Sequence, residues 1–212
     1  MATLKLGFAL EGNSDYPIIP LLSRRVVQDT FPDVTIAPDS ILRPRKRGHG
    51  FIRELSIFAR QLREDNVDVV IAVVDTDNTR INERLKLLYV AKDQCARLEI
   101  AVCIAEGLAV CSVEAWMLAD PQAIFNVFDG DQASVSFPAP EDNPSPKRAL
   151  NDIVRTLTKG RQVTFVPFAD VLAADIQLSV LRHRCDHFDK FARNLTNCVK
   201  EWQRIGQSTI IV

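Results

Sequence analysis

The 212-residue sequence contains no apolar run that approaches the roughly 18 residues a membrane-spanning helix requires. Its first stretch, MATLKLGFALEG, carries one lysine and a short apolar run before Glu11, with no small-residue cleavage site. This composition favours a first β-strand over a signal peptide. We therefore expect a cytoplasmic protein that does not enter the membrane.

Cysteine patterns are also lacking, because none of the five cysteines belongs to a CxxC pair. They are Cys95, Cys103, Cys111, Cys185 and Cys198. An odd number without paired spacing predicts reduced thiols, and neither a disulfide framework nor a zinc site.

The chain has no excess of charge of one sign, since 26 basic residues face 27 acidic ones and the net charge is −1. Overall charge therefore provides no attraction to nucleic acid. The segment RPRKRGHG is nevertheless a local basic cluster, formed by Arg43, Arg45, Lys46 and Arg47. This basic cluster is either a solvated loop or a surface that contacts a nucleic-acid backbone without reading sequence.

The residues present predict one soluble α/β unit, with 47% hydrophobic and 25% charged residues. Predicted strands at 4–10, 34–42, 67–74 and 100–105 alternate with predicted helices at 14–30, 51–64 and 80–97. Pro38 interrupts the second strand and predicts that it lies at an edge of the sheet. The pattern is typical of a parallel sheet of about four strands with helices on both faces. We expect residues 1–107 to form this core, and residues 108–212 to form a helical half packed on it as part of a single structural unit. Helices are predicted in that half at 147–157, 168–176 and 179–202.

Two carboxylates end the predicted third strand, in the stretch VVIAVVDTDNT. Asp75 and Asp77 are two residues apart, so on a strand they would share a face and repel each other. Glu11 ends the first strand, and the carboxyl ends of parallel strands meet at one sheet edge. Oxygen ligands suit Mg²⁺ or Mn²⁺. The alternative is that such acids cap the following helices, as Asp77 or Asn78 would.

A buried strand ending in Glu-Gly, followed by a strand ending in Asp-x-Asp, resembles the Toprim fold of topoisomerases, primases and related nucleases. Three further stretches extend the resemblance: SVEAWMLAD (112–120), PEDNPSPKRAL (140–150) and the long segment 165–195. With them the chain resembles a bacterial Toprim-like group, the domain-of-unknown-function family 4276, over nearly its whole length.

The resemblance implies roles for residues at matching positions. Glu11 would be a general acid/base or a metal-bound glutamate, and Asp75 and Asp77 would be metal ligands. In Toprim nucleases of the overcoming-lysogenisation-defect type, a Ser-x-Glu supplies a second metal position and a lysine stabilises charge. The corresponding residues here are Ser112, Glu114 and Lys147. Asp15, four residues after Glu11, is a candidate for an outer-shell contact.

Two other features carry less weight. Trp116 is expected to be a core anchor rather than a stacking platform for bases. His183 and His187 are spaced four apart on a predicted helix, a spacing that suits two ligands of a zinc ion. No third zinc ligand accompanies them on the same face of the helix.

The predicted activity is Mg²⁺- or Mn²⁺-dependent phosphodiester hydrolysis on DNA or RNA. The resemblance also implies an ATPase partner of the ABC or structural-maintenance type in anti-phage defence, because such proteins often accompany one. This chain itself has no GxxxxGK[ST] motif. Two alternatives remain open: phosphoryl or nucleotidyl transfer on a small nucleotide, and a non-catalytic docking subunit. The terminal STIIV would dock a partner or a second copy of the chain, or add an edge strand.

Overall fold

The strands form where β-branched and other apolar residues cluster. The computed structural model describes residues 3–12, 14–43, 49–77, 80–129, 135–161 and 163–208. Within these ranges the strands are β1 (Thr3–Leu4), β2 (Leu6–Leu10), β3 (Thr35–Ile36), β4 (Ser40–Leu42), β5 (Val69–Asp75) and β6 (Cys103–Ala109).

Helices fill most of the remaining described chain. They are α1 (Ile19–Thr30), α2 (His49–Arg53), α3 (Leu55–Glu64), α4 (Ile81–Arg97), α5 (Glu114–Met117), α6 (Pro121–Phe128), α7 (Pro146–Leu157), α8 (Ala169–Asp175), α9 (Leu178–Arg184) and α10 (Asp186–Ser208). None of these helices combines the length and the hydropathy of a membrane span.

The main sheet has four parallel strands in the order β4-β2-β5-β6, and β1 and β3 form a separate parallel pair. The predicted α/β class with a parallel sheet flanked by helices is thus confirmed. The chain leaves β2 for β4 on one side and later returns to β5 on the other. The sheet therefore has a topological switch point between β2 and β5, where ligands of open α/β sheets bind.

Both faces of the sheet are buried, which explains the unbroken apolar run in β5. Val69, Ile71 and Val73 face a core shared with α1 and the C-terminal helices. Val70 and Val74 face the opposite core, which is closed by α2, α3 and α4. Parallel strands covered on both sides are apolar at every position rather than at alternate ones.

Two predicted strands are each divided in the structure. The stretch 4–10 becomes β1 and β2, and the stretch 34–42 becomes β3 and β4, with Pro38 between the latter two. β4 is an edge strand of the main sheet, as the proline predicted. The last strand, predicted at 100–105, lies three residues later and ends at Ala109.

The C-terminal helices cover one face of the sheet and are more divided than the sequence suggested. Trp116 is fully buried and packs on Phe188 and Phe191, with ring centroids 5.0 and 5.8 Å away, so it is a core residue as expected. The predicted helix at 179–202 breaks at Cys185, which has extended dihedral angles and separates α9 from α10. His183 and His187 therefore lie on different helices.

The expectation of reduced cysteines is wrong for two of the five. Cys103, at the start of β6, is disulfide-bonded to Cys198 in α10, with a Cα–Cα distance of 5.5 Å. The packing of α10 along β6 brings the two together across 95 positions of sequence, a proximity that local spacing does not reveal. Cys95, Cys111 and Cys185 are free thiols.

Candidate metal centre at the carboxyl edge of the sheet

The acidic residues predicted from strand ends come together at the switch point of the sheet. Leu10 of β2 pairs with Val73 of β5, so that Glu11 and Asp75 follow at the same edge. Asp77 does not cap the next helix, because the N-cap of α4 is Arg80, whose own side chain makes no capping hydrogen bond. The capping alternative is therefore wrong for Asp77, while Asn78 lies outside the described residues.

A ladder of hydrogen bonds joins the loop after β5 to the loop after β6. Thr76 N–H donates to Ala109 O at 2.9 Å, and Asp77 N–H donates to Cys111 O at 3.1 Å. The Cys111 N–H donates in return to the buried Thr76 Oγ1 at 2.7 Å. This ladder brings the Ser-x-Glu of the second loop beside the Asp-x-Asp of the first.

Asp75 takes part in the same junction through its side chain. Its Oδ1 accepts a hydrogen bond of 3.1 Å from the Val113 N–H, between Ser112 and Glu114. Glu114, the first residue of α5, is 2% exposed. Sequence reasoning placed these residues in one site, but it did not identify Thr76 as the residue that links the loops.

Asp15 is a deeper member of the acidic group than the sequence indicated. It is 2% exposed, and its Oδ2 accepts a 2.7 Å hydrogen bond from the Gly12 N–H. A Cβ at position 12 would lie 3.1 Å from that oxygen, so the absence of a side chain at Gly12 allows the Asp15 carboxylate to pack closely against the backbone. The Glu-Gly pair therefore positions Asp15 as well as Glu11.

The carboxylates are close enough to disturb one another's ionisation. Burial raises the pKa of Asp15 to about 6; the Gly12 hydrogen bond opposes this shift, and the charges of Glu114 and Glu11 add to it. Burial likewise raises the pKa of Asp75 well above its usual value, and the neighbouring carboxylates, Asp15 first, raise it further. A site of this kind favours either protons or a bound cation.

Helix α7 forms the opposite wall of a cleft above these acids. Lys147, in its first turn, places Nζ 3.6 Å from Glu114 Oε1, beyond hydrogen-bond distance but within that of an ion pair. The cleft has a volume of about 1210 Å³. All six predicted catalytic and metal-binding residues line it: Glu11, Asp75, Asp77, Ser112, Glu114 and Lys147.

Two oxygens in this cleft are buried without a hydrogen-bond partner in the described part of the chain, Ser112 Oγ and Glu114 Oε1. A buried polar atom without a hydrogen bond is costly. The Lys147 ammonium lies 3.6 Å from Glu114 Oε1 without a hydrogen bond, so both oxygens are still available as ligands of a bound cation. In this conformation, the described residues contain no group of three His, Cys, Asp or Glu side chains that surrounds a single ion position. The donor set, all oxygen, suits Mg²⁺ or Mn²⁺ in its chemistry.

Cys111 lines the same cleft, a neighbour that sequence reasoning did not single out. Burial raises the pKa of its thiol, and the charges of Asp75 and Asp77 raise it further. A protonated thiol is a poor nucleophile and a poor ligand.

The basic cluster is described only at its first residue. Arg43 follows β4 and lies over the ring of Tyr16, 4.8 Å from its centroid. It is therefore at the carboxyl edge of the sheet, on the same side as Glu11. Arg45, Lys46 and Arg47 lie outside the described residues.

The histidines considered for zinc have another role at one of the two positions. His187 Nδ1 lies 3.0 Å from Glu141 Oε2, and the same carboxylate accepts from the His187 N–H at 3.1 Å. Glu141 thereby anchors the loop before α7 to the start of α10. This contact indicates a structural function for His187.

Comparison with known proteins gives one match. Residues 11–196 match a family model described as Domain of unknown function (DUF4276). No curated protein and no solved structure matches the chain.

Proposed function

The chain belongs to the family described as Domain of unknown function (DUF4276), and we propose that it is a Toprim-type, metal-dependent phosphodiester hydrolase that acts on nucleic acid. The observation that carries this proposal is the convergence of five carboxylates at the switch point of a parallel sheet, opposite a lysine. They are Glu11, Asp15, Asp75, Asp77 and Glu114.

The cation would be held by Asp75, Asp77, Glu114 and Glu11, with Ser112 as a further oxygen ligand. When bound, Mg²⁺ or Mn²⁺ would polarise a phosphoryl oxygen and generate or position the nucleophile. Asp15 lies behind these residues, hydrogen-bonded to Gly12, and would orient the Glu11 segment. The Toprim resemblance gives Glu11, which directly follows β2, the role of general acid/base as the alternative to that of a metal ligand.

Lys147 would stabilise the charge that develops on the phosphate. Its Nζ faces Glu114 without a hydrogen bond, and 59% of its side chain is exposed to the cleft and solvent. An ammonium group in this position is available to a substrate oxygen. The first turn of α7 adds the favourable end of a helix dipole for an anion.

The dimensions of the cleft favour a polymer over a small nucleotide. Its volume of about 1210 Å³ exceeds the roughly 300–1,000 Å³ of typical small-molecule pockets. Arg43 and the rest of the basic cluster would contact the backbone of a strand entering this edge. Both DNA and RNA have the phosphate backbone that these contacts require.

The proposal includes a separate ATPase partner of the ABC or structural-maintenance type. The sequence has no phosphate-binding loop of the GxxxxGK[ST] kind, so any ATP-driven step would come from another chain. Such a pair would place this protein as the effector of an anti-phage system. Copurification with a neighbouring ATPase is the corresponding measurement.

The first experiment is a calorimetric titration of Mg²⁺ and of Mn²⁺ into the wild type and into the Asp75→Ala, Asp77→Ala double variant. We expect saturable binding in the wild type that disappears in the variant. Nuclease assays on single-stranded DNA, duplex DNA and RNA then follow, with Lys147→Met and the exposed Lys159→Met, which lies outside the cleft lining, as a matched pair. Loss of the Lys147 ammonium should lower kcat about 10²–10³-fold, whereas loss of the Lys159 ammonium should change kcat little.

The contrary outcome is equally clear. A wild type that binds no divalent cation at millimolar concentration, even with nucleic acid present, contradicts the enzymatic proposal. The docking-subunit alternative would then account for the retained scaffold.

A further inference from the structure

Arg84 is a buried cation that the proposed chemistry leaves unused. It lies in the first turns of α4 and is 4% exposed, yet its Nε and Nη1 have no hydrogen-bond partner among the described residues. Burying a guanidinium without full compensation is unfavourable, so its position requires an explanation. The third nitrogen of the guanidinium, Nη2, contacts the Asp77 carboxylate.

Nη2 of Arg84 is 3.6 Å from Oδ2 of Asp77. This is an ion pair without a hydrogen bond, and the described residues supply no other ion-pair partner to Arg84. Helical side chains lean toward the N-terminus of their helix, which directs Arg84 at the loop that carries Asp77. The guanidinium is fixed by burial, whereas 63% of the Asp77 side chain is exposed.

Asp77 is held at this point by its backbone rather than by its carboxylate. Its φ of 49° is in the left-handed region, and its N–H is bonded to Cys111 O at 3.1 Å. The side chain lines the acidic cleft on one side and meets Arg84 on the other. One carboxylate therefore lies between a fixed internal cation and the position of the proposed metal.

We propose that Arg84 sets the cation affinity of the site by competing with the metal for Asp77. Without a metal, the guanidinium serves as an internal counter-ion to the acidic cluster. With a metal, the same positive charge opposes binding and withholds part of the Asp77 carboxylate. Arg84 is thus an affinity-determining residue and not a catalytic one, and this inference rests on the metal site of the proposed function.

The direction of the effect distinguishes this role from structural support. If Arg84 only orients a ligand or supports the fold, removing it should weaken cation binding, as the loss of an outer-shell partner typically does. If Arg84 competes, removing its charge should strengthen binding, since like charges at short range oppose each other in a partly desolvated site. The two roles predict changes of opposite sign.

The test is calorimetric titration of Mn²⁺ into the wild type, Arg84→Gln, Arg84→Met and the control Arg80→Gln. Arg80 is exposed at the N-terminus of the same helix, so its substitution removes one charge without emptying a buried position. We expect the Arg84 variants to bind Mn²⁺ about tenfold more tightly, and the Arg80 variant to change by less than about threefold. Thermal melts followed by circular dichroism select whichever Arg84 variant is folded.

A second arm places Arg84→Gln in an Asp77→Asn background. Competition acts through the Asp77 charge, so the gain in affinity should shrink there. An undiminished gain would mean that Arg84 acts only by direct repulsion of the metal, and it overturns the inference of competition for Asp77. Equal or weaker binding by the Arg84 variants, beside a wild type that binds Mn²⁺, also overturns the inference and leaves the proposed function intact. Absence of Mn²⁺ binding by the wild type contradicts the proposed function itself.

Discussion

At the residue scale, the unfavourable electrostatic free energy of the folded protein is located mainly in a few buried carboxylates. Asp15 and Asp75 are held in positions where burial and neighbouring acids disfavour their ionised forms. Two cations contact members of this cluster without a hydrogen bond: Lys147 lies 3.6 Å from Glu114, and Arg84 lies 3.6 Å from Asp77. Functional sites commonly show such groups with shifted pKa values, which a fold optimised for stability alone would not retain.

The substitution Asp15→Asn should stabilise the metal-free protein at neutral pH. The folded-state pKa of about 6 is above the ordinary 3.8, so folding disfavours the carboxylate form. The stability contributed by the protonated group is complete below pH 3.8 and is lost as the pH rises through 6. Asparagine keeps an oxygen for the Gly12 N–H and carries no charge.

The free energy of unfolding of the variant should therefore exceed that of the wild type by up to about 3 kcal/mol at pH 8, and by little near pH 4. Urea denaturation at both pH values, with a chelator present, measures the difference. A difference that does not grow with pH would show that Asp15 is not strained in its ionised form. The same variant should bind Mn²⁺ more weakly.

At the element scale, the contact between β6 and α10 holds the C-terminal half on the sheet. Gly107 permits close packing there, because a Cβ at this position would lie 2.9 Å from the Phe191 ring. The disulfide between Cys103 and Cys198 adds a covalent link at the amino end of β6. Packing and cross-link act on the same pair of elements, and the cross-link is at the end of β6 opposite the acidic cleft.

Reduction of this disulfide should lower the free energy of unfolding by about 2–4 kcal/mol, because it releases a loop of 95 positions in the unfolded chain. Urea denaturation with and without dithiothreitol measures the effect. The Cys103→Ser, Cys198→Ser double variant is the control and should not respond to the reductant. Alkylation of the unfolded, unreduced protein should label three thiols, and labelling of all five would contradict the cross-link.

Some helix boundaries follow from local sequence signals, and others do not. Pro121 at the first position of α6, with Asp120 accepting from Gln122 N–H at 3.1 Å, follows the expected helix-start chemistry. The break at Cys185 carries no comparable signal, since neither glycine nor proline stands there. It separates α9 from α10 at a position where the cysteine is fully buried.

At the scale of the whole molecule, a net charge of −1 hides an uneven distribution. The cleft is lined by acids, and basic residues lie around it: Lys147 and Arg148 on α7 and Arg43 after β4. A polyanion such as nucleic acid would be repelled by the acids in the cleft and attracted by the basic residues around it. Affinity for nucleic acid should therefore depend on the basic cluster and on the metal together.

Neutralising the basic cluster by Arg43→Gln, Arg45→Gln, Lys46→Gln and Arg47→Gln should weaken nucleic-acid binding and reduce its salt dependence. Each lost phosphate contact lowers the slope of log K against log salt by roughly 0.7–0.9. Fluorescence anisotropy across a salt series measures this slope. The control neutralises four exposed residues of α3 and α4, namely Arg60, Arg63, Lys86 and Arg97, with the same change in net charge. An equal loss in both variants would exclude a specific role for the basic cluster.

The sequence by itself determined the parallel α/β architecture and the strand-end acids. Both follow from local rules: buried parallel strands are apolar throughout, and their carboxyl ends share one edge of the sheet. Glu11, Asp75 and Asp77 were therefore identified before the tertiary structure, whereas Ser112 and Glu114 were identified only through the family resemblance. All five line one cleft. Their roles as ligands remain predictions.

Only the tertiary structure decided which remote segments meet. The burial of Asp15, the Thr76 link between loops, the Arg84–Asp77 ion pair and the Cys103–Cys198 disulfide all depend on how helices pack against the sheet. Packing fixes distances between residues that are far apart in the chain, and no periodicity or spacing encodes those distances. The sequence therefore specified the acids of the site, while the fold determined the charges and hydrogen bonds around them.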